Sequence, residues 1–344
     1  MEIKEFPTPF GTITHIELVN ASGCSVTLST LGAGIVSVIV PDKNGNMADV
    51  VLGYDNPASW LDDGPCAGKI PGRYANRIAK GHFSIDGKEY NLAINNGPNA
   101  LHGGPTGFQN RIWNIVSAND NKVVLEYKSA DGEEGYPGNL TARATYTWSD
   151  TNKLTLTLDA ETDAPTVVNL TNHAYFNLNG HDSGCVFDHE LKLNASQYLP
   201  TDDTLIPTSS APASVENTPM DFRISKKIGR DVKADFPALN YGKGYDNCWV
   251  IDGANGKKTE AAILFDTKSG RKLTVSTTQP GVQIYTGNWL EGCPTGKGGH
   301  TYHDYDGVAI ECQAFPDSPN RPDFPSTLLL PDQKYHQVIE FAFS

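Results

Sequence analysis

The sequence is short of positive charge: 27 lysines and arginines stand against 40 aspartates and glutamates, a net charge of −13 over 344 residues. That balance argues against nucleic acid or an anionic membrane as the main partner. No apolar run approaches the roughly 18 residues that suggest a transmembrane helix. The N-terminus, MEIKEFPTPFG, lacks a basic stretch followed by an apolar one, so neither signal peptide nor anchor is expected, and the cytoplasm is the expected location. The six cysteines (Cys24, Cys66, Cys185, Cys248, Cys293, Cys312) show no C-x-x-C pair and no zinc-ligand spacing, and free thiols in a reducing compartment are expected. The nine histidines show no metal-ligand pattern, and neither H-E-x-x-H nor G-x-S-x-G occurs. GCPTGKGG, residues 292–299, is one residue short of a phosphate loop, and Gly298 follows Lys297 where Ser or Thr is needed. Four N-x-S/T sequons, at Asn20, Asn139, Asn169 and Asn194, read as chance matches without a secretion signal. Neither cofactor nor metal is expected.

Helical periodicity is also scarce. The best stretch is 222–232, interrupted by Gly229, with a shorter one near 57–61. What dominates is a period of two. Leu140, Ala142, Ala144, Tyr146 and Trp148 alternate with polar residues, and after the break at 149–152 the pattern resumes with Leu154, Leu156 and Leu158. This reads as a half-buried hairpin. Residues 263–265 and 273–275 read as a second, and 13–19, 26–28, 35–40, 123–127, 282–286, 308–311 and 338–343 as further strands. The 33 glycines and 22 prolines punctuate the chain instead of gathering in a linker. Large β folds reach this length as one unit, burying about three quarters of their unfolded surface. The expectation is all-β: one antiparallel β-sandwich domain over 1–344, of two packed sheets with few short helices.

Several polar constellations could carry chemistry. NLTNHAYFNL (169–178) sets His173 among asparagines and aromatics in a strand-like region, either as a satisfied structural histidine or as a proton-transfer group. Asn76 and Arg77, in GRYANRIAKG, combine an amide with an arginine fork, the donors and acceptors that recognise hydroxyls; a solvated surface turn is the alternative. LHGG puts His102 before a glycine pair that would let backbone approach a ligand, or merely form a tight turn. Asp246 follows a glycine-rich loop, where aspartate commonly serves as a turn or cap residue. Gln283 alternates with Val282 and Ile284 and should face away from the core if they face it. Glu311 ends the apolar run Val308-Ala309-Ile310. Desolvation there would raise its pKa toward the range of a general base, whereas an edge position would leave it in water.

Taken together, GRYANRIAKG, LHGG, DGEEGYPG (131–138), NLTNHAYFNL, TTQPGVQIYTGN and ECQAFPDSPN occur in the order found in the galactose mutarotase (aldose 1-epimerase) family, which the chain resembles over nearly its whole length. The resemblance implies the galactose mutarotase-like supersandwich and interconversion of the α and β anomers of free aldohexoses, galactose and glucose foremost, by a monomer or weak homodimer. It implies that His173 protonates the ring oxygen, Glu311 takes the proton of the anomeric hydroxyl and His102 assists. Asn76, Arg77, Asp246 and Gln283 would hold the remaining hydroxyls. The acid and base should then stabilise each other's charged forms, keeping His173 protonated near neutral pH. The chain departs from the family's pattern at Asn247, where histidine is frequent, and at Cys312 and Ser318, where threonine and alanine are common. Two other readings stay open. One is a silent sugar-binding protein on the same scaffold; the other is a glycoside hydrolase using Asp246 and Glu311.

Overall fold

The computed structural model describes residues 1–61, 63–208 and 211–344. Its named strands pair antiparallel, and many of them alternate inward apolar with outward polar residues. The hairpin Leu140–Trp148/Lys153–Thr162 shows the rule: Ala144 stands opposite Leu158, Tyr146 opposite Leu156 and Trp148 opposite Leu154. All six are buried, while Thr145 and Thr157, also directly opposite, face outward.

This hairpin lies in a nine-stranded sheet that also contains Tyr335–Phe343, Lys272–Thr277 and Thr259–Phe265. A six-stranded sheet runs in the order Tyr175–Phe176, Val308–Gln313, Gly281–Tyr285, Asp246–Val250, Gln197–Tyr198, Ala213–Ser214. A five-stranded meander covers Glu2–Thr8, Gly11–Val19, Ser25–Ser29, Ile35–Pro41 and Met47–Asp49. There are therefore three large sheets where the sequence suggested two. One apolar cluster joins them: Leu18, Val26 and Val38 from the meander, Leu156, Val275 and Phe341 from the nine-stranded sheet, and Trp249, Ile284 and Ile310 from the six-stranded one. Burying each such side chain is worth roughly 1.5–3 kcal/mol.

The helical expectation at 222–232 is not met. Phe222, Ile228 and Val232 are buried there, but Lys226–Lys227 pairs as a strand edge and only the single 3₁₀ turn Ile228–Arg230 follows. The pairing of Lys226 and Lys227 with Leu191 and Glu190 takes this backbone into the sheet edge, and Gly229 lets it pass close to Phe187, 2.6 Å from where a Cβ would stand. The α-helix is instead Pro237–Gly242, started by proline and closed by Lys243 in the left-handed region. Near 57–61 a 3₁₀ turn, Pro57–Trp60, is capped by Asn56, whose Oδ1 accepts the Ala58 N–H at 3.0 Å. No helix among the described residues is long and apolar enough to cross a membrane.

Candidate active site

The six-stranded sheet has two unlike faces. Trp249, Val282, Ile284, Val308, Ile310 and Cys312 turn into the core. On the other face, register sets Asp246 opposite Tyr285 and Gln283 opposite Glu311. Residues two apart on a strand share a face, so these four stand on one face, and Asp246, Tyr285 and Glu311 line a cleft of about 690 Å³. Gln283 points away from the core, as its alternation with Val282 and Ile284 required, and is buried there with its amide on Asp246. Glu311 lies on an inner strand and is 2 % exposed, so the water-facing edge alternative is set aside.

His173 reaches the same cleft from an irregular segment held by its neighbours. The Asn169 side chain donates to the Ala75 carbonyl (3.0 Å) and accepts from the Ala314 N–H (2.9 Å). Asn172 donates to the Gly68 carbonyl at 2.6 Å and accepts from the Ala174 N–H at 3.0 Å. The two asparagines of NLTNH are thus fully engaged in backbone, and Asn169 is too buried to be a glycosylation acceptor. The His173 N–H donates to the Lys69 carbonyl and the Gly68 N–H to the His173 carbonyl, both at 2.9 Å. Gly68 permits this only as glycine, with φ +68° and the Ile35 carbonyl oxygen 2.0 Å from where a Cβ would stand. So fixed, His173 places Nε2 3.4 Å from Glu311 Oε1, with the Tyr175 ring centred 5.0 Å from its own.

His102 stands edge-to-face with His173, ring centroids 5.3 Å apart. It has φ 54°, its N–H donates to the Asn76 carbonyl (3.1 Å), and its Nδ1 accepts the Asn76 N–H (3.2 Å). That acceptor role puts the imidazole proton on Nε2. The glycines after it serve close approach, since a Cβ on Gly103 would fall 1.9 Å from the Gly72 carbonyl oxygen. Beside the histidines runs a polar chain. Arg77 Nε donates to Asn96 Oδ1 (3.0 Å), Arg77 Nη2 to Asp246 Oδ2 (3.3 Å), and Gln283 Nε2 to Asp246 Oδ1 (2.6 Å). Asn76, also in the left-handed region, uses Oδ1 to accept the Arg77 N–H at 2.8 Å. All seven residues nominated from sequence therefore meet at one place.

Potential ligand atoms of His102, His173 and Glu311 lie within 4.8 Å of one another. The set is nonetheless ill-suited to a cation, because the Asn76 N–H occupies Nδ1 of His102 and forces a proton onto Nε2. Burial governs the proton chemistry instead. It lowers His173 to about 4, against a smaller opposing pull from Asp246. It raises Glu311 well above the usual carboxyl value, with Asp246 adding to the rise and Arg77 offsetting it. It also holds His102 well below its ordinary value, with the Arg77 charge adding to the drop. The standing imidazolium expected at His173 is opposed by this burial, which pushes both His173 and Glu311 toward their neutral forms. The pair holds one proton that can move between two atoms 3.4 Å apart.

The profile of the family described as Aldose 1-epimerase matches residues 14–342. The chain belongs to the aldose 1-epimerase family. Among its relatives, galactose mutarotase from Bos taurus is 42 % identical over 342 residues, 99 % of this chain and 96 % of that protein. Aldose 1-epimerase from Escherichia coli K12 is 38 % identical over 330 residues, covering 95 % and 94 %. A solved Caenorhabditis elegans homologue of GalM/aldose epimerase superposes with TM-score 0.88 at 34 % identity, covering 96 % of this chain and 98 % of that one.

Other residues of this family member's cleft escaped the sequence reading. Asn96 anchors Arg77, yet in the polar run NNGPN nothing marks it out. Tyr285 and Tyr175 line the cleft beside His173, and Tyr285 was within reach through its two-residue offset from Gln283. Trp289, 64 % exposed, stands at the rim under the Lys243 ammonium, 4.3 Å from its ring centre. The near-miss phosphate loop serves the fold, because its buried Lys297 donates to the Val36 and Val51 carbonyls and to Asp49, at 2.5, 2.8 and 2.6 Å.

Proposed function

We propose that this cleft opens and recloses the ring of free aldohexoses such as galactose and glucose, exchanging their α and β anomers. Aldose 1-epimerase activity follows from family membership along essentially the whole chain. The observation that carries the residue assignment is the 3.4 Å approach of His173 to Glu311 in a buried cleft.

Ring opening needs one proton on the ring oxygen and one removed from the C1 hydroxyl. With the shared proton on His173, Glu311 is a carboxylate ready to accept the C1 hydroxyl proton while His173 donates to the ring oxygen. Afterwards Glu311 holds a proton, His173 is neutral and the sugar is an open-chain aldehyde. That is the protonation state burial already favours, so the site's electrostatics support the open-chain stage over the closed rings. Rotation about C1–C2 turns the other carbonyl face, and the reverse transfers close the ring as the other anomer. Each proton transfer can contribute about 10²–10⁴-fold. His102, with its Nε2–H, serves as a neutral donor near the ring oxygen. Arg77, Asp246, Gln283 and Asn76 hold the far hydroxyls while C1 turns.

Asp246 is a poor second carboxyl for glycoside hydrolysis, because Arg77 and Gln283 each take one of its oxygens. Polarimetry of freshly dissolved α-D-galactose and α-D-glucose tests the reading: relaxation toward equilibrium faster than buffer is expected. Relaxation at the buffer rate for both sugars, across several pH values, would leave a silent sugar binder.

A further inference from the structure

Behind the cleft wall lies an ion pair that the proton chemistry does not use. Lys69 and Asp63 have fully buried side chains, with Nζ 3.3 Å from Oδ2. The ammonium also donates to the Trp60 carbonyl (2.8 Å) and to Asn110 Oδ1 (3.4 Å). The carboxylate also accepts the Tyr54 hydroxyl (2.8 Å) and the Ala67 N–H (2.7 Å). Gly32 makes room for the lysine stem, since a Cβ there would meet it at 2.9 Å. Lysine is rarely buried to this depth. Stability alone is a weak reason for such a pair, because uncharged side chains of similar volume often hold a fold equally well or better.

What the pair does fix is a turn on which the active site hangs. Between its two ends the Cys66 N–H donates to the Asp63 carbonyl (3.4 Å) and the Lys69 N–H to the Cys66 carbonyl (3.2 Å). The turn's main chain grips His173 on both sides, through the Lys69 carbonyl and the Gly68 N–H. Its Pro65 carbonyl accepts the Tyr175 hydroxyl at 2.9 Å, and Tyr175 packs on His173. Gly64, Pro65 and Cys66 form part of the cleft wall itself.

We propose that Asp63 and Lys69 are positioning residues for the reaction: their ion pair clamps the 63–69 turn, and the turn sets the reach of His173 to the sugar and to Glu311. The inference rests on His173 being the ring-oxygen acid. A displacement of about an ångström at a reacting group can lower a rate by roughly 10²-fold, so a clamp acting only through main chain can matter to catalysis.

The test is the double variant Asp63→Asn/Lys69→Met, which removes both charges and keeps the volumes, with kcat and KM for α-D-galactose read by polarimetry beside thermal melting. A folded protein with undiminished Tm, a kcat lower by about 10–100-fold and a KM within about twofold is expected. Tyr54→Phe, which deletes one hydrogen bond to Asp63 and is too mild to unfold the chain, should lower kcat about two- to fivefold with KM unchanged. Wild-type kcat in the folded double variant overturns the inference, and so does wild-type kcat in Tyr54→Phe should the double variant fail to fold. A wild-type protein that does not accelerate mutarotation at all refutes the proposed function instead, so the two failures are distinct.

Discussion

Glu311→Gln separates the two descriptions of the acid/base pair, because they give opposite signs for its effect on stability. If Glu311 were an ionised partner of a protonated His173, the glutamine would strand a buried cation, and breaking a buried pair costs about 3–5 kcal/mol. Burial instead holds the carboxyl protonated well above its ordinary value of 4.5. The folded chain then keeps a proton that the unfolded chain has released, and stability falls as pH rises from 4.5 toward the folded-state pKa. The slope in that window is about 1.4 kcal/mol per pH unit. Glutamine mimics the neutral acid and titrates nothing, so the variant's advantage over wild type should grow by that amount per unit.

His173 acts in the other direction. Its pKa falls from 6.5 to about 4 on folding, so it weakens the fold as pH drops from 6.5 toward 4 and is silent above 6.5. Comparing the two proteins above pH 6.5, where His173 is silent, therefore isolates the carboxyl. With an unfolding entropy near 2.1 cal/mol/K per residue, a chain of this length shifts its Tm by about 1.4 °C per kcal/mol. Urea denaturation reads the difference more directly than melting, and polarimetry on the same samples should show turnover lost by at least about 10²-fold. A glutamine variant less stable than wild type, or a stability difference that does not grow as pH rises above 4.5, would refute the raised carboxyl.

The pH profile of kcat/KM for the wild type should hold its plateau down to an acid limb near pH 4 instead of 6.5, because a second proton enters the pair where His173 titrates; a limb at the ordinary imidazole value in kcat/KM would contradict that. His173→Asn should lower kcat by about 10²–10⁴-fold while KM moves only a few-fold, measured by polarimetry on galactose. Arg77→Ala removes charge-assisted hydrogen bonds worth about 1.5–3 kcal/mol each. It should raise KM by roughly 10–100-fold with a smaller effect on kcat, and an unchanged KM would take Arg77 out of sugar binding.

Much of this was legible from the chain because half-buried antiparallel strands print their burial directly as alternation. Both expected hairpins are there, and Gln283 was assigned its face from Val282 and Ile284 alone. The count of sheets was not legible. Whether Ile16 and Leu18 belong to the same layer as Ile310 depends on which strands pair at long range, and alternation is blind to that. The 222–232 segment misled because its buried residues Phe222, Ile228 and Val232 resemble a helical stripe, whereas the fit of Gly229 against Phe187 is visible only in three dimensions. The six-residue helix that does form is too short to establish a period. The pull of burial on His173 was hidden for a related reason: sequence supplies a candidate partner for a charge, but the depth of burial that opposes the charge belongs to the fold.

The cleft face of the six-stranded sheet explains why so polar a site can exist inside this fold. Each of its central strands is anchored by the apolar residues of the opposite face, Trp249, Val282, Ile284, Val308 and Ile310. Asp246, Gln283 and Glu311 are thereby carried at fixed strand spacing without having to contribute packing energy themselves. Gln283 and Glu311, directly opposite each other across neighbouring strands, resist a one-residue slip, since it would turn the apolar row of the shifted strand outward. The register that buries the core is thus the register that aligns Glu311 with Gln283 and Asp246. His173 and His102 have no such ladder to hold them: they sit on irregular backbone and depend on Asn76, Asn172 and the 63–69 turn. Mutational sensitivity should divide accordingly, with the strand-borne residues tolerant of remote change and the two histidines answering to alterations in the loops that grip them.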